Sequence, residues 1–249
     1  EAKERMLGPE HPDTLRTAGN LAQLLGSKGN LTGAEPLLRQ TVERMERVLG
    51  KEHPDTLSDL SSLADLVNTQ GDRAEAERLY RQVLETREWK LGPDHPDTLS
   101  SLDSLATLLA QAGDYTAAEA LSRRTLEARE RTLGPEHPGT LRSVNNLGLS
   151  LKNKGDYAGA EPLFRRALDG MERVLGKEHD DTLRSLSNLA SLLTDKGDLA
   201  AAESLLERAL EAWDRTLGPK HPDTLKCVSS LADWHRARGD QSAAEKLCR

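Results

Sequence analysis

Leu7-Gly8-Pro9-Glu10-His11-Pro12-Asp13-Thr14 decides the fold, because its frame returns five more times along the chain. The Leu-Gly pair recurs at Leu49-Gly50, Leu91-Gly92, Leu133-Gly134, Leu175-Gly176 and Leu217-Gly218. A histidine follows three residues after each glycine, at His11, His53, His95, His137, His179 and His221. The copies are 42 residues apart with no drift in length. A fixed period in this range is the signature of stacked repeats, each of which buries its apolar face only against its neighbours. Such an array offers one long surface rather than a deep pocket, and the residues on that surface decide what it does.

Within the first copy, Pro12 suits the first turn of a helix, where its missing N–H is not needed. Asp13 places negative charge at the positive end of the helix dipole. Leu15, Ala18, Leu21, Ala22, Leu24 and Leu25 then recur at helical spacing. Gly29 ends this helix A in the position that tolerates positive φ. Asn30, with Asp72, Asp114, Asp156, Asp198 and Asp240 in the other copies, reads as the N-cap of a second helix, B. The cap reading outweighs a glycosylation reading of Asn30-Leu31-Thr32. Helix B carries Ala34, Leu37, Leu38, Val42, Met45 and Leu49 on one face. Ala34 and its equivalents Ala76, Ala118, Ala160, Ala202 and Ala244 let helices approach closely, and Glu35 with Arg39 forms an i,i+4 surface pair. Pro36 and Pro162 are expected to distort the first turns of their B helices.

Length alone would allow two compact domains, but the repeat makes the chain one elongated array. The 249 residues are 36% hydrophobic and only 3% aromatic, so Leu and Ala must build the core. A net charge of −7 argues against nucleic acid and anionic membranes as partners. No apolar run approaches the roughly 20 residues of a membrane helix. Cys227 and Cys248 occupy non-equivalent places in the last copy and read as free thiols, which suits a reducing, cytoplasmic setting.

The helix-turn-helix unit, with small Ala22 on helix A and Ala34 and Leu38 on helix B, resembles the tetratricopeptide repeat (TPR). The 42-residue period with its Leu-Gly-x-x-His-Pro-Asp link resembles the kinesin light chain type of that repeat. Asn145-Asn146-Leu147 carries the resemblance best, while Gly148, Ser150, Gly139 and Asp180 depart from it, as do Trp234 and His235 in the last copy. The resemblance implies an all-α fold, a right-handed α-α superhelix of about six helix-turn-helix repeats. The repeats span 8–49, 50–91, 92–133, 134–175, 176–217 and a truncated 218–249, with 1–7 as the end of a preceding helix B. Because Glu1–Met6 align with the last turns of a B helix and Arg249 stops inside another, the array is expected to continue beyond both ends. Uncapped ends of this kind also favour end-to-end self-association.

Several chemistries are excluded. Equivalent histidines on stacked helices lie on the order of 10 Å apart, whereas a zinc ion holds its ligands at about 2.0–2.3 Å. Gly50-Lys51 and Gly176-Lys177 lack the glycine and the hydroxyl residue of a phosphate loop. The expectation is therefore no catalytic residues, no metal, no cofactor and no enzyme. His235 reads as filler of a core position.

Function is sought where the repeats differ. By resemblance, helix A lines the concave face. In repeats 1–3 its register carries Arg16 against Asp65 and Asp103, a net −1. In repeats 4–6 it carries Arg142, Lys152, Arg184, Lys226 and Arg236 against Asp195 and Asp233, a net +3. Asn145, Asn146, Leu149, Asn153, Ser187, Asn188 and Ser191 share that second register. The expectation is a protein-interaction scaffold that binds an extended, acidic peptide in this groove. Arg142 and Arg184 would pair with carboxylates and Asn145, Asn146 and Asn188 with the peptide backbone. The alternative is a regulatory or sensor region of a larger signalling protein.

Overall fold

The six link histidines start six helices in the same way. The computed structural model describes residues 6–247. The A helices are α1 (Pro12–Ser27), α3 (Pro54–Thr69), α5 (Pro96–Gln111), α7 (Pro138–Lys154), α9 (Asp180–Lys196) and α11 (Pro222–Ala237). Before each, the histidine Nδ1 accepts the backbone N–H two residues on, at 3.0–3.2 Å. The histidine is thus the N-cap, a place usually held by Ser, Thr, Asp or Asn. In four of the links the threonine completes the turn. Thr56, Thr98, Thr182 and Thr224 are buried and donate to the carbonyls of Gly50, Gly92, Gly176 and Gly218 at 2.8–3.0 Å. Replacing His95 by alanine should therefore cost about 1 kcal/mol, and asparagine should restore most of it. Urea midpoints of the two variants check this.

The B helices are α2 (Leu31–Val48), α4 (Arg73–Leu91), α6 (Tyr115–Leu133), α8 (Tyr157–Leu175), α10 (Leu199–Leu217) and α12 (Gln241–Leu247). Asn30 caps α2 by accepting from Gly33 N–H at 3.1 Å, and the five aspartates cap the others alike. The turn from A to B needs a left-handed residue, supplied for example by Gly155 at φ +89°. Helices α2 and α8 run unbroken through Pro36 and Pro162. Each proline stands exposed and leaves only a carbonyl of the first turn unpaired, facing water.

Among the described residues every regular element is a helix, and none is long and apolar enough to cross a membrane. The chain falls into two compact units, Glu1–Leu121 and Ser122–Arg249, with the division inside α6. Unit 1 buries Leu57, Leu60, Leu63, Leu99, Leu102 and Leu105 together with the small residues Ala34 and Ala76. Unit 2 buries Leu183, Leu186 and Leu189 around Phe164 and Trp213. The thiol of Cys248 and the chain end at Arg249 lie outside the described residues, as do residues 1–5 of the expected B-helix tail. Cys227 is a buried free thiol.

Two departures from the repeat have local causes. A Cβ on Gly148 would meet Phe164 at 2.9 Å, so this glycine makes room for the ring. Ser150, at a leucine position, shares a buried hydrogen bond with Ser122 at 3.2 Å. A third place is less settled. Ser101 and Ser143 each accept a hydrogen bond from an arginine of the preceding B helix, Arg87 and Arg129, at 2.8 and 2.7 Å. Repeat 2 has Asp59 there, and repeat 1 has Met45 where those arginines stand. Asp59 is buried against Gly19 and its Oδ2 has no hydrogen-bond partner among the described residues.

Candidate functional site

Neighbouring A helices are laced together by side chains one repeat apart. In unit 1, Arg16 on α1 pairs with Asp55 on α3 at 2.8 Å, and Gln23 donates to Ser62 at 2.8 Å. Asn68 on α3 donates to Gln111 on α5 at 3.0 Å. In unit 2, Asn188 on α9 donates to Asn145 on α7 at 3.1 Å. Lys152 on α7 donates to Ser191 at 2.6 Å and pairs with Asp195 at 3.0 Å, both on α9. Arg184 on α9 pairs with Asp223 on α11 at 3.5 Å. Within each unit the variable residues of the A helices therefore share one face.

The lacing gives most of the expected positive charges a partner. Lys152 keeps 16% of its side-chain surface and is consumed by Ser191 and Asp195. Arg236 pairs with Asp233. Lys226 pairs with Asp223 at 3.2 Å, so one carboxylate outside the expected register holds two of its cations. Burial alone would raise the Asp223 carboxyl, but Lys226 and Arg184 overcome it and hold the group below its ordinary range. Arg142 is the exception, exposed and without an ion pair among the described residues. Arg184 is 57% exposed and its pair is long.

The remaining residues sort by depth. Asn145, Asn146 and Asn188 are half-buried, the first two one turn along α7 from Arg142, and Asn153 is exposed at the end of α7. Leu149 packs against the unit 2 core, which limits what it can offer a ligand. Ser187 donates to the Leu183 carbonyl at 2.9 Å and lies beside Cys227. Burial pushes that thiol up to about 11, an effect Ser187 slightly opposes, so it is not a reactive thiolate.

Residue counting along the sequence missed a recess of about 350 Å³ in unit 1. Its floor is Ala22, Leu38 and Leu66, and its rim is Gln23, Ser27, Ser62, Asp65 and Thr69. Gly26 opens it. The signal was present in the register, since the other repeats carry Asn68, Ala110, Lys152, Thr194 and Arg236 at the place of Gly26.

A family model described as "Tetratricopeptide repeat" matches residues 15–88, 143–211 and 181–248, and a second model of the same description matches 98–139. Among curated proteins none is similar enough to count as a relative. Solved structures are similar over most of the chain. The TPR-like repeats of a Podosopora anserina protein described as a kinesin light chain share 29% identity, cover 83% of this chain and 97% of their own, and superpose with a TM-score of 0.71. BtubC (BKLC) from P. vanneervenii shares 25% identity over 87% of each chain, with a TM-score of 0.70. RapI, at 11% identity over 94% of each chain and a TM-score of 0.68, is similar in fold alone.

Proposed function

Because the chain belongs to the tetratricopeptide repeat family, we propose that it is a cytoplasmic protein-interaction scaffold whose α7 and α9 face holds an extended, acidic segment of a partner protein. Arg142 carries the reading. It is a fully available guanidinium on a face where the other cations are matched. A free guanidinium beside amide side chains suits a carboxylate on an extended strand, since it can grip both carboxylate oxygens. Asn146, one residue from the Asn145–Asn188 bond, would serve the strand's backbone. Arg184 joins at little cost, because an exposed pair at 3.5 Å contributes at most about 1 kcal/mol and a ligand carboxylate can replace Asp223.

Fluorescence anisotropy with a panel of extended peptides rich in Glu and Asp tests this. Binding should weaken at least about tenfold, or about 1.4 kcal/mol, in the Arg142→Glu, Arg184→Glu double variant. It should also weaken with added salt. Equal binding by the double variant and the parent would remove the site from this face.

A further inference from the structure

The recess between α1 and α3 has a counterpart inside the same chain that shows what fits it. Lys152 stands eighteen residues after its link glycine, and Gly26 stands eighteen after its own. The Lys152 ammonium is held by Ser191 and Asp195 of the next A helix, at 2.6 and 3.0 Å. The residues at those two registers in repeat 2 are Asp65 and Thr69, and both line the recess. In repeat 2 the same register is held by Asn68, which reaches Gln111. Repeat 1 thus keeps the acceptors of a lysine site and has glycine where the lysine would start.

The lining chemistry is one-sided. Ser27, Ser62 and Thr69 give their hydroxyl protons to the carbonyls of Leu24, Ser58 and Asp65. Gln23 gives an amide proton to Ser62. Tyr80, buried on α4, donates to Asp65 Oδ1 and fixes the carboxylate, whose Oδ2 has no partner among the described residues. Apart from the second amide proton of Gln23, what faces the recess is therefore a set of lone pairs above an apolar floor. A long aliphatic stem ending in a group that only donates satisfies both halves, and the ammonium of lysine has three donors and no acceptor.

We propose that this recess is a lysine-accepting subsite for a partner protein, with Asp65 Oδ2 as counter-ion and Ala22, Leu38 and Leu66 against the stem. Loss of water around Asp65 raises its carboxyl above the ordinary value, only partly offset by Tyr80. A bound cation replaces that lost solvation. The subsite lies wholly within unit 1 and does not depend on the reading of α7 and α9.

The test is a titration of the full chain, followed by backbone amide NMR, with an end-capped pentapeptide bearing a central lysine. Shifts confined to Gly26, Ser27, Ser62 and Asp65 are expected, and the same peptide with norleucine should bind at least tenfold more weakly. Asp65→Asn keeps the acceptor for Tyr80 but removes the charge, and should lose binding tenfold or more. Gly26→Lys should abolish it by filling the recess from within, as Lys152 does in repeat 4. Equal shifts with the norleucine peptide, or unaltered binding in both variants, would overturn the proposal. Circular dichroism of each variant confirms that it is folded.

Discussion

Replacing Asp59 by serine should stabilise unit 1 by about 2–3 kcal/mol at pH 7, an unusual direction for a change at a buried position. Asp59 is 6% exposed, and its Oδ2 has no hydrogen-bond partner among the described residues. Burial, and to a lesser degree the nearby Asp55, push its carboxyl from 3.8 to about 6. Arg16 pairs with Asp55 and so serves that neighbour rather than Asp59. The sign follows from proton counting. Between about pH 4 and 6 the folded chain holds more of this proton than the unfolded chain does, so stability falls as pH rises through that window. The penalty is complete above about pH 6 and largely gone by pH 4. A serine would donate to the carbonyl four residues back, as Ser101 and Ser185 do at 3.1 and 3.0 Å. Urea unfolding of parent and variant at pH 4 and pH 7 measures the effect. A difference of the same size at both pH values would mean that charge is not its cause.

Which parts of this molecule were legible in sequence follows from which interactions are local. The caps are local. Asn30 and the aspartates sit within three residues of the N–H groups they accept, so spacing alone located them. The link histidines recur too far apart to share a zinc ion, but their capping atom was not legible, because an imidazole is seldom a cap and the Pro-Asp that follows already accounts for the helix start. The shared register of the candidate site residues is legible in the sequence, but the ion pairs they make are not. Arg184 and Asp223 are 39 residues apart, and a register drawn on single helices cannot show that one carboxylate serves Arg184 and Lys226 together. The unit 1 recess escaped for a related reason. It is defined by what Gly26 lacks, and an absent side chain becomes a site only when the next helix supplies Asp65 and Thr69. Gly148 is legible as a departure from the repeat but its cause is not, because it answers Phe164 on the following helix.

That last pair gives the largest expected loss. Phe164→Ala should cost about 3–5 kcal/mol, because the ring is fully buried and the cavity it leaves is walled by leucines that cannot all collapse inward. Gly148→Ala should cost about 1–3 kcal/mol, although alanine occupies this register in all five other repeats and is the better helix former. The added methyl would stand 2.9 Å from the ring. Repeats 1 and 5 pair an alanine here with Leu38 and Leu206 in place of the phenylalanine. Gly148→Ala combined with Phe164→Leu should therefore be less destabilising than the two single changes added together, with a coupling of about 1 kcal/mol or more. Additive losses would show that glycine and ring do not compensate each other. The same variants separate scaffold from binding face. Gly148 and Phe164 are buried, whereas Arg142 is exposed on the same helix as Gly148. Acidic-peptide binding by the folded fraction should thus match the parent's, even as the unfolding midpoint moves.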